Sequence, residues 1–374
     1  MKYSRIFLAV FFLFCLCASF ARAAEEEPET GFSYDDVSFA EKELGIGFIY
    51  DSKVRDSGWS YAHDQARKAV GAMPGVTTEF TESAPEGHKL EDALNDMGTH
   101  NLDIVFATGR GNGQEALRAA GVFRDTVFVY CSFDPACTVN AAPYAGRMYQ
   151  ARYLTGMVAG AMTHNNTLGY VAAFPTTEAI RGINAFALGA ASVNRAARVK
   201  VAWTKTWYDP KEERSAAYAL MDLGADVIAQ DQDSPAAQEA AQERGAYSIG
   251  CHSDMSAFAP EAQLTAAIWN WAVLYKKVVE RVREGAWQAE PVWWGLDRGL
   301  VDTAPFGPMV PGPVQDETLS KKIELSSGKA KVFTGPVTDR DGRLRIPEGQ
   351  NATDQDLLLM DWFVRGVEEI ARQP

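Results

Sequence analysis

The stretch Val171-Ala-Ala-Phe-Pro-Thr-Thr-Glu-Ala-Ile-Arg-Gly-Ile-Asn-Ala-Phe-Ala-Leu-Gly-Ala190 decides how the chain is read. A short apolar run, Leu168 to Phe174, stops at Pro175. A helical pattern follows, with Ile180, Ile183, Asn184 and Ala187 on one face. This is a strand, a turn at its carboxyl end, and a helix. In open α/β sheets, ligands sit in that crevice. The first half repeats the unit: Gly45 to Tyr50, then Asp56-Ser-Gly-Trp-Ser60, then a helix from Tyr61. Two such units predict two similar lobes facing each other across a cleft.

Outward from these units, strands and helices alternate. In the first half, the pattern predicts strands over 46–50, 77–83, 102–108 and 126–132, and helices over 61–73, 87–97, from Gln114, and 149–162. The last helix carries small residues, Gly156, Ala159 and Gly160, suited to close packing. The second half gives strands at 168–174, 199–204, 227–230, 246–250 and 264–269, with helices at 178–193, 210–223, 234–244 and 271–283. Such alternation builds parallel sheets covered by helices. The tail departs from it. Residues 332–338, the turn Asp339-Arg-Asp-Gly342 and residues 344–346 read as a β-hairpin, and 354–371 as a final amphipathic helix.

The chain of 374 residues has room for two domains. Lys2 and Arg5, an apolar run Ile6 to Phe20, and Ala21-Arg22-Ala23 have the layout of a cleaved secretory leader. Bulky residues before Cys15 and Cys17 do not form a lipoprotein box. Ala24 to Ser33 is acidic and contains proline. Residues 1–23 hold three positive charges and no acid, so their removal takes the formal charge from -13 to about -16. That charge argues against nucleic acid and acidic membranes as partners. Of the remaining cysteines, Cys131 and Cys137 are close enough for a disulfide or are free thiols, and Cys251 reads as core.

Gly109-x-Gly-x-Gly113 follows a strand, but Gln114 breaks the dinucleotide spacing, leaving a flexible loop at the cleft rim. The five histidines lack metal-ligand spacing, and adjacent Cys251 and His252 cannot easily share one ion. No metal or cofactor is implied. Aromatic residues at strand ends say more: Trp59, Phe174, Trp207 with Tyr208, and Trp269. Each alone reads as core. Together they are what a flat aromatic ligand needs on its two faces. Asp56 and Asp254 read equally as helix caps or as acceptors for a ligand's N–H groups, whereas Asp209, Asp233 and Ser234 read as caps. Ser60, Thr108, Ser132, Gln230 and His252 complete the candidate strand-end set.

Several ordered motifs carry a resemblance. They are Gly47-Phe-Ile-Tyr50, Asp56-Ser-Gly-Trp-Ser-Tyr-Ala-His-Asp64, Gly169-Tyr-Val-Ala-Ala-Phe-Pro175, Arg181-Gly-Ile-Asn-Ala-Phe-Ala-Leu-Gly189, Asp226-Val-Ile-Ala-Gln230, Ser253-Asp-Met255 and Trp269-Asn-Trp271. From about residue 44 onward the chain resembles the basic membrane protein family, the purine-nucleoside-receptor type of ABC-transporter substrate-binding proteins. The resemblance implies a type I periplasmic-binding-protein fold: two doubly wound lobes joined by a three-crossing hinge. With the leader over 1–23 and the acidic extension over 24–43 set aside, it implies lobes at 44–165, joined by returning C-terminal segments, and at 166–290, and a hinge-crossing tail over 291–374.

It further implies a purine held between two rings, which map onto Trp59 and Trp207. Asp254 matches an acidic position of the family's Asp-Ser-Asp motif. Two positions depart from the nucleoside receptors. His252 replaces the first Asp of that motif, and Trp269 stands where a ribose-binding Lys is found. Buried ribose hydroxyls would then lack partners. The expectation is a periplasmic, monomeric protein that captures a free purine base and delivers it to an inner-membrane ABC permease. A nucleoside, another flat heterocycle, a chemosensory role and an exported nucleoside hydrolase stay open as alternatives.

Overall fold

A computed structural model describes residues 43–55, 57–111 and 113–371. The expected leader, the acidic extension before residue 43, and Asp56 lie outside the described residues. The first elements are β1 (Leu44–Ile49), α1 (Trp59–Gly71), β2 (Val76–Thr81), α2 (His88–Gly98), β3 (Ile104–Ala107), α3 (Gln114–Val122), β4 (Val127–Cys131) and β5 (Ala141–Gly146). There follow α4 (Met148–Met162), β6 (Thr167–Ala172), α5 (Thr177–Val193), β7 (Arg198–Trp203), α6 (Pro210–Asp222) and β8 (Val227–Asp231). Next come α7 (Ala236–Glu243), β9 (Tyr247–His252), β10 (Gln263–Trp269), α8 (Trp271–Arg283), β11 (Val292–Trp294) and β12 (Val301–Thr303). The tail holds α9 (Gly312–Ser326), β13 (Val337–Thr338), β14 (Leu344–Ile346), α10 (Asp354–Leu358) and β15 (Val367–Glu369).

The strands form two large sheets. The first runs β11-β5-β4-β3-β1-β2 and is parallel throughout. The second runs β12-β10-β9-β8-β6-β7-β15, with only β12 antiparallel. Their central strands are buried on both faces, as sheets covered by helices require. The chain passes between the sheets three times: after β5, after β10, and after β11. The expected type I periplasmic-binding-protein architecture is the one observed.

Helices α4 and α5 make the closest helix pair of the second lobe. A Cβ on Gly156 would stand 2.1 Å from the Phe186 carbonyl oxygen, and one on Gly189 2.0 Å from that of Tyr153. Glycine at both positions lets the two backbones touch.

The tail corrects one expectation. The hairpin forms between β13 and β14, but the final segment is helical only over α10. Beyond it, β15 joins β7 in parallel, with Val367 opposite Val199. The α5 residue Asn184 decides this. Its Nδ2 donates to the Trp362 carbonyl at 2.7 Å, and its Oδ1 accepts from the Val364 N–H at 2.9 Å. Buried Arg181 donates to the Leu357 carbonyl at 2.7 Å. These bonds replace the helical ladder with extended backbone. Among the described residues the three cysteines, Cys131, Cys137 and Cys251, are free thiols, with Cys131 buried and Cys137 exposed.

Removing the Asn184 amide strands buried backbone groups, each costing about 1–3 kcal/mol. Asn184→Ala is expected to lower the urea midpoint and to speed amide exchange at residues 362–369. Unchanged exchange there would remove Asn184 from its role in docking the tail.

Candidate functional site

A cavity of about 720 Å³ lies where the carboxyl ends of both sheets meet. The first lobe lends Asp51 and Ser52 after β1, Trp59 at the start of α1, Arg110 after β3, and Ser132 and Phe133 after β4. The second lends Thr176 to Glu178, Trp207 and Tyr208 after β7, Asp233 after β8, and Trp269 at the end of β10. Trp271, at the start of α8, also lines it.

Trp59 is the most connected of these. Its indole N–H donates to the Thr108 carbonyl at 3.0 Å, which fixes the ring. His63, Trp269 and Trp271 meet it edge to face, with centroids 4.6, 5.6 and 5.5 Å away. Trp269 and Trp271 stack at 4.4 Å and 15°. Trp269 lies so close to Gly146 that a Cβ there would meet the ring at 2.2 Å. The guanidinium carbon of Arg110 stands 3.9 Å from the Trp59 ring centre and 5.0 Å from that of Trp207. One planar cation thus touches both indoles. Each such contact contributes about 0.5–2 kcal/mol.

The two lobes are tied at the N-terminus of α1. Gly58 precedes that helix and has no side chain to cap it. Asp233 supplies the cap from the opposite lobe: its Oδ1 accepts the Trp59 backbone N–H at 2.8 Å. A Cβ on Gly58 would lie 2.6 Å from the Asp233 carbonyl oxygen. Ser253 adds a second tie, donating from Oγ to the Ser57 carbonyl at 2.8 Å. A carboxylate at a helix N-terminus also complements the dipole.

The electrostatics around these groups are uneven. Burial pushes the Asp233 carboxyl up to about 7, against the Trp59 N–H and Arg110. Burial also raises Asp51, opposed by Arg110 and by hydrogen bonds from Ser60 and Ser52. Burial drives His252 down to about 3, outweighing Asp231, so its ring is neutral. Trp269 donates from Nε1 to His252 Nδ1 at 3.1 Å, which leaves the ring proton on Nε2, 3.3 Å from Asp233 Oδ1. His252 holds this place with φ 66, a left-handed conformation uncommon for any residue but glycine.

Cys251 and His252 do converge with Asp231, contrary to the expectation that adjacency keeps them apart. The place of a cation there is taken: Arg152 Nη2 lies 2.7 Å from Asp231 Oδ1 and 3.2 Å from Cys251 Sγ. Burial opposes the Asp231 charge, but Arg152 and Arg110 hold its carboxyl below the usual range.

Of the residues named from sequence, Trp59, Ser132, Trp207, Tyr208 and Trp269 line the cavity, as does Asp233, expected only as a cap. The others lie behind it or away from it. Phe174 packs on Trp207 with ring centres 5.4 Å apart. Ser60 donates to Asp51 at 3.2 Å, and Thr108 holds Trp59. His252 sits behind Trp269. Gln230 is buried in the second lobe, donating to Ser234 and Gln238. Asp254 is exposed and accepts from the Ser256 N–H and Gln263, so it closes a local turn. Asp56 lies outside the described residues. Asp209 and Ser234 do accept local N–H groups, whereas Asp233 caps a helix of the other lobe.

Sequence reasoning missed Asp51, Arg110 and Glu178 in the lining. Arg110 stands two residues past a strand-end position, the same signal that marked Trp59 and Trp207. Its glycine-rich setting reads as a plain loop.

A two-lobed α/β chain with a large cleft at the carboxyl ends of both sheets has the architecture found in solute-binding proteins. The comparisons agree. The Bmp family model, described as ABC transporter substrate-binding protein PnrA-like, matches residues 44–341. The chain belongs to this family, which is made of solute-binding proteins. It is 38% identical over 91% of its length to a purine-binding protein of Brucella abortus (strain 2308), covering 97% of that protein. It is 39% identical over 87% of its length to a Haloferax volcanii protein named "Putative ABC transporter glucose-binding protein TsgA13", covering 80% of it. In fold it is similar to an ABC transporter solute-binding protein from Conexibacter woesei, with TM-score 0.67 and 20% identity, over 77% of this chain and 98% of that one. Proteins of this class bind small molecules and pair with permeases, normally outside the cytoplasm. Among the described residues, no helix is long and apolar enough to cross a membrane.

The raised Asp233 carboxyl makes stability depend on pH. Between about pH 4 and 7 the folded protein keeps a proton that the unfolded chain gives up, so stability falls as pH rises through that window. Glu213, pushed up to about 7 by burial, acts in the same direction. Neutral, buried His252 acts the other way below about pH 6.5. Thermal melts at about pH 5.5 and about pH 8 are therefore read as a difference, wild type being expected to lose more stability over this range than Asp233→Asn. An equal drop in both would place its source elsewhere.

Proposed function

We propose that the protein captures a free purine base in this cleft and delivers it to an ABC permease. The observation that carries the reading is the placement of Arg110. A planar guanidinium touches the Trp59 and Trp207 rings together, so the space between them suits one flat group with two π faces. A purine is such a group, and offset stacking contributes about 0.5–1.5 kcal/mol per ring beyond area burial. A pyranose is thicker and asks for paired hydroxyl partners around its rim.

Two positions favour a base over a nucleoside. Where the nucleoside receptors resembled by this sequence have a Lys, Trp269 stacks on Trp271. Where they have an Asp, His252 lies behind Trp269 and accepts its N–H. Neither offers a charged partner to ribose, and buried unpaired hydroxyls are costly. The same reading has the mature protein act as an exported monomer that binds without turnover.

The test is a panel of adenine, guanine, hypoxanthine, xanthine, their ribonucleosides and glucose, read by calorimetry and thermal shift. A base is expected to bind most tightly, stabilising by about 2.7 kcal/mol at a hundredfold excess over Kd. Trp59→Ala is expected to weaken every base by on the order of tenfold or more. A nucleoside binding tighter than its base would overturn the reading of Trp269 and His252. Glucose alone binding would overturn the purine reading, and release of base from a nucleoside would overturn the binding-only role.

A further inference from the structure

The cavity lining holds both acid groups and a buried cation. Asp51, Asp233 and Glu178 bring carboxyl groups to the lining beside Arg110. Arg110 brings donors only, since a guanidinium has no acceptor. Its nearest ion pair is long: Nη1 lies 3.9 Å from Glu178 Oε2. Its Nε is buried and has no hydrogen-bond partner among the described residues. Trp271 also lines the cavity, is 1% exposed, and has an indole N–H equally without a partner among them. A guanidinium that lines the cleft, lies over two indoles and has no close carboxylate among the described residues points to a ligand that carries acceptors.

Resting on the purine reading, we propose that Arg110 is a specificity residue that selects 6-oxopurine bases over adenine. A base seated between Trp59 and Trp207 cannot share that space with the guanidinium. The guanidinium then moves to the rim of the base, where ring oxygens and nitrogens lie in plane. The O6 and N7 atoms of a 6-oxopurine present two adjacent acceptors, which match the arginine fork. The neighbouring N1–H is a donor and suits a carboxylate. Adenine carries an amino group at position 6, which sets donor against donor along the same edge. Sites built to pair a given polar group reject analogues that lack it far more strongly than apolar pockets do.

Guanine, hypoxanthine and adenine titrated into the full mature chain, with Arg110→Met and Arg110→Lys alongside, test this. Wild type is expected to bind the two oxopurines on the order of tenfold to a hundredfold tighter than adenine. Arg110→Met, which keeps the apolar stem, should weaken the oxopurines and bring the ratio to about one. Arg110→Lys keeps the charge without the planar fork and should lie between. Adenine bound as tightly as guanine by wild type would overturn the assignment of Arg110 while leaving the purine reading standing. So would an unchanged ratio in Arg110→Met. Absence of binding by any base would remove the purine reading and this proposal together.

Discussion

The start of α1 is the point on which the site depends. Gly58 leaves that helix without a cap of its own, and Asp233 reaches across from the other lobe to accept the Trp59 N–H. This bond sets the approach of the two sheets, because glycine is the residue that lets the Asp233 backbone come so near. It also places the Trp59 ring, whose other end is fixed by the Thr108 carbonyl. A bond between lobes costs little to break in water, and it couples the aromatic wall of the cleft to the approach of its two halves. Hinge closure around a ligand uses couplings of this kind.

Around that tie, the protein keeps charges in a largely apolar space. Arg152 and Asp231 pair at 2.7 Å within the second lobe, and breaking such a pair by removing one partner is strongly destabilising. Among the described residues Arg110 has no pairing of that quality and lies instead against two indoles. The difference separates a structural charge from one available to a ligand. His252 joins the two regions. Neutral and held by Trp269, it presents Nε2–H toward Asp233. A neutral histidine here adds no negative charge to a cluster that already holds Asp231 and Asp233.

The two relatives carry names that differ in ligand, one a purine and one glucose. Common ancestry therefore settles the transport class and leaves the ligand to the cleft lining. Aromatic rings can stack on sugars as on bases, so the number of rings matters less than their spacing and the polar groups at their edges. In this chain Trp59 and Trp207 share a planar neighbour, and Trp269 covers Gly146 at the base of the cleft. Those features argue from shape, independently of the names.

The alternation of apolar runs with helical periodicity determined the two-sheet fold, and the strand-end positions of Trp59, Trp207 and Trp269 brought them to the cleft. These are local signals: a period of two or of 3.6 residues, and a turn at a strand's carboxyl end. Tertiary structure decided what depends on distant partners. The segment after Leu358 has helical periodicity, yet Asn184 and the exposed edge of β7 draw it into β15. Asp233 and Asp254 look alike in sequence as acids after strands, but only Asp233 meets the opposite lobe, while Asp254 bonds to its own turn. Arg110 lies in a glycine-rich loop whose composition hides it, and it becomes a cleft residue only because Trp59 and Trp207 arrive from two different lobes. Side-chain hydrogen bonds and ring contacts between residues far apart in the chain leave no periodic trace, and for that reason the fold was legible and the polar half of the site was not.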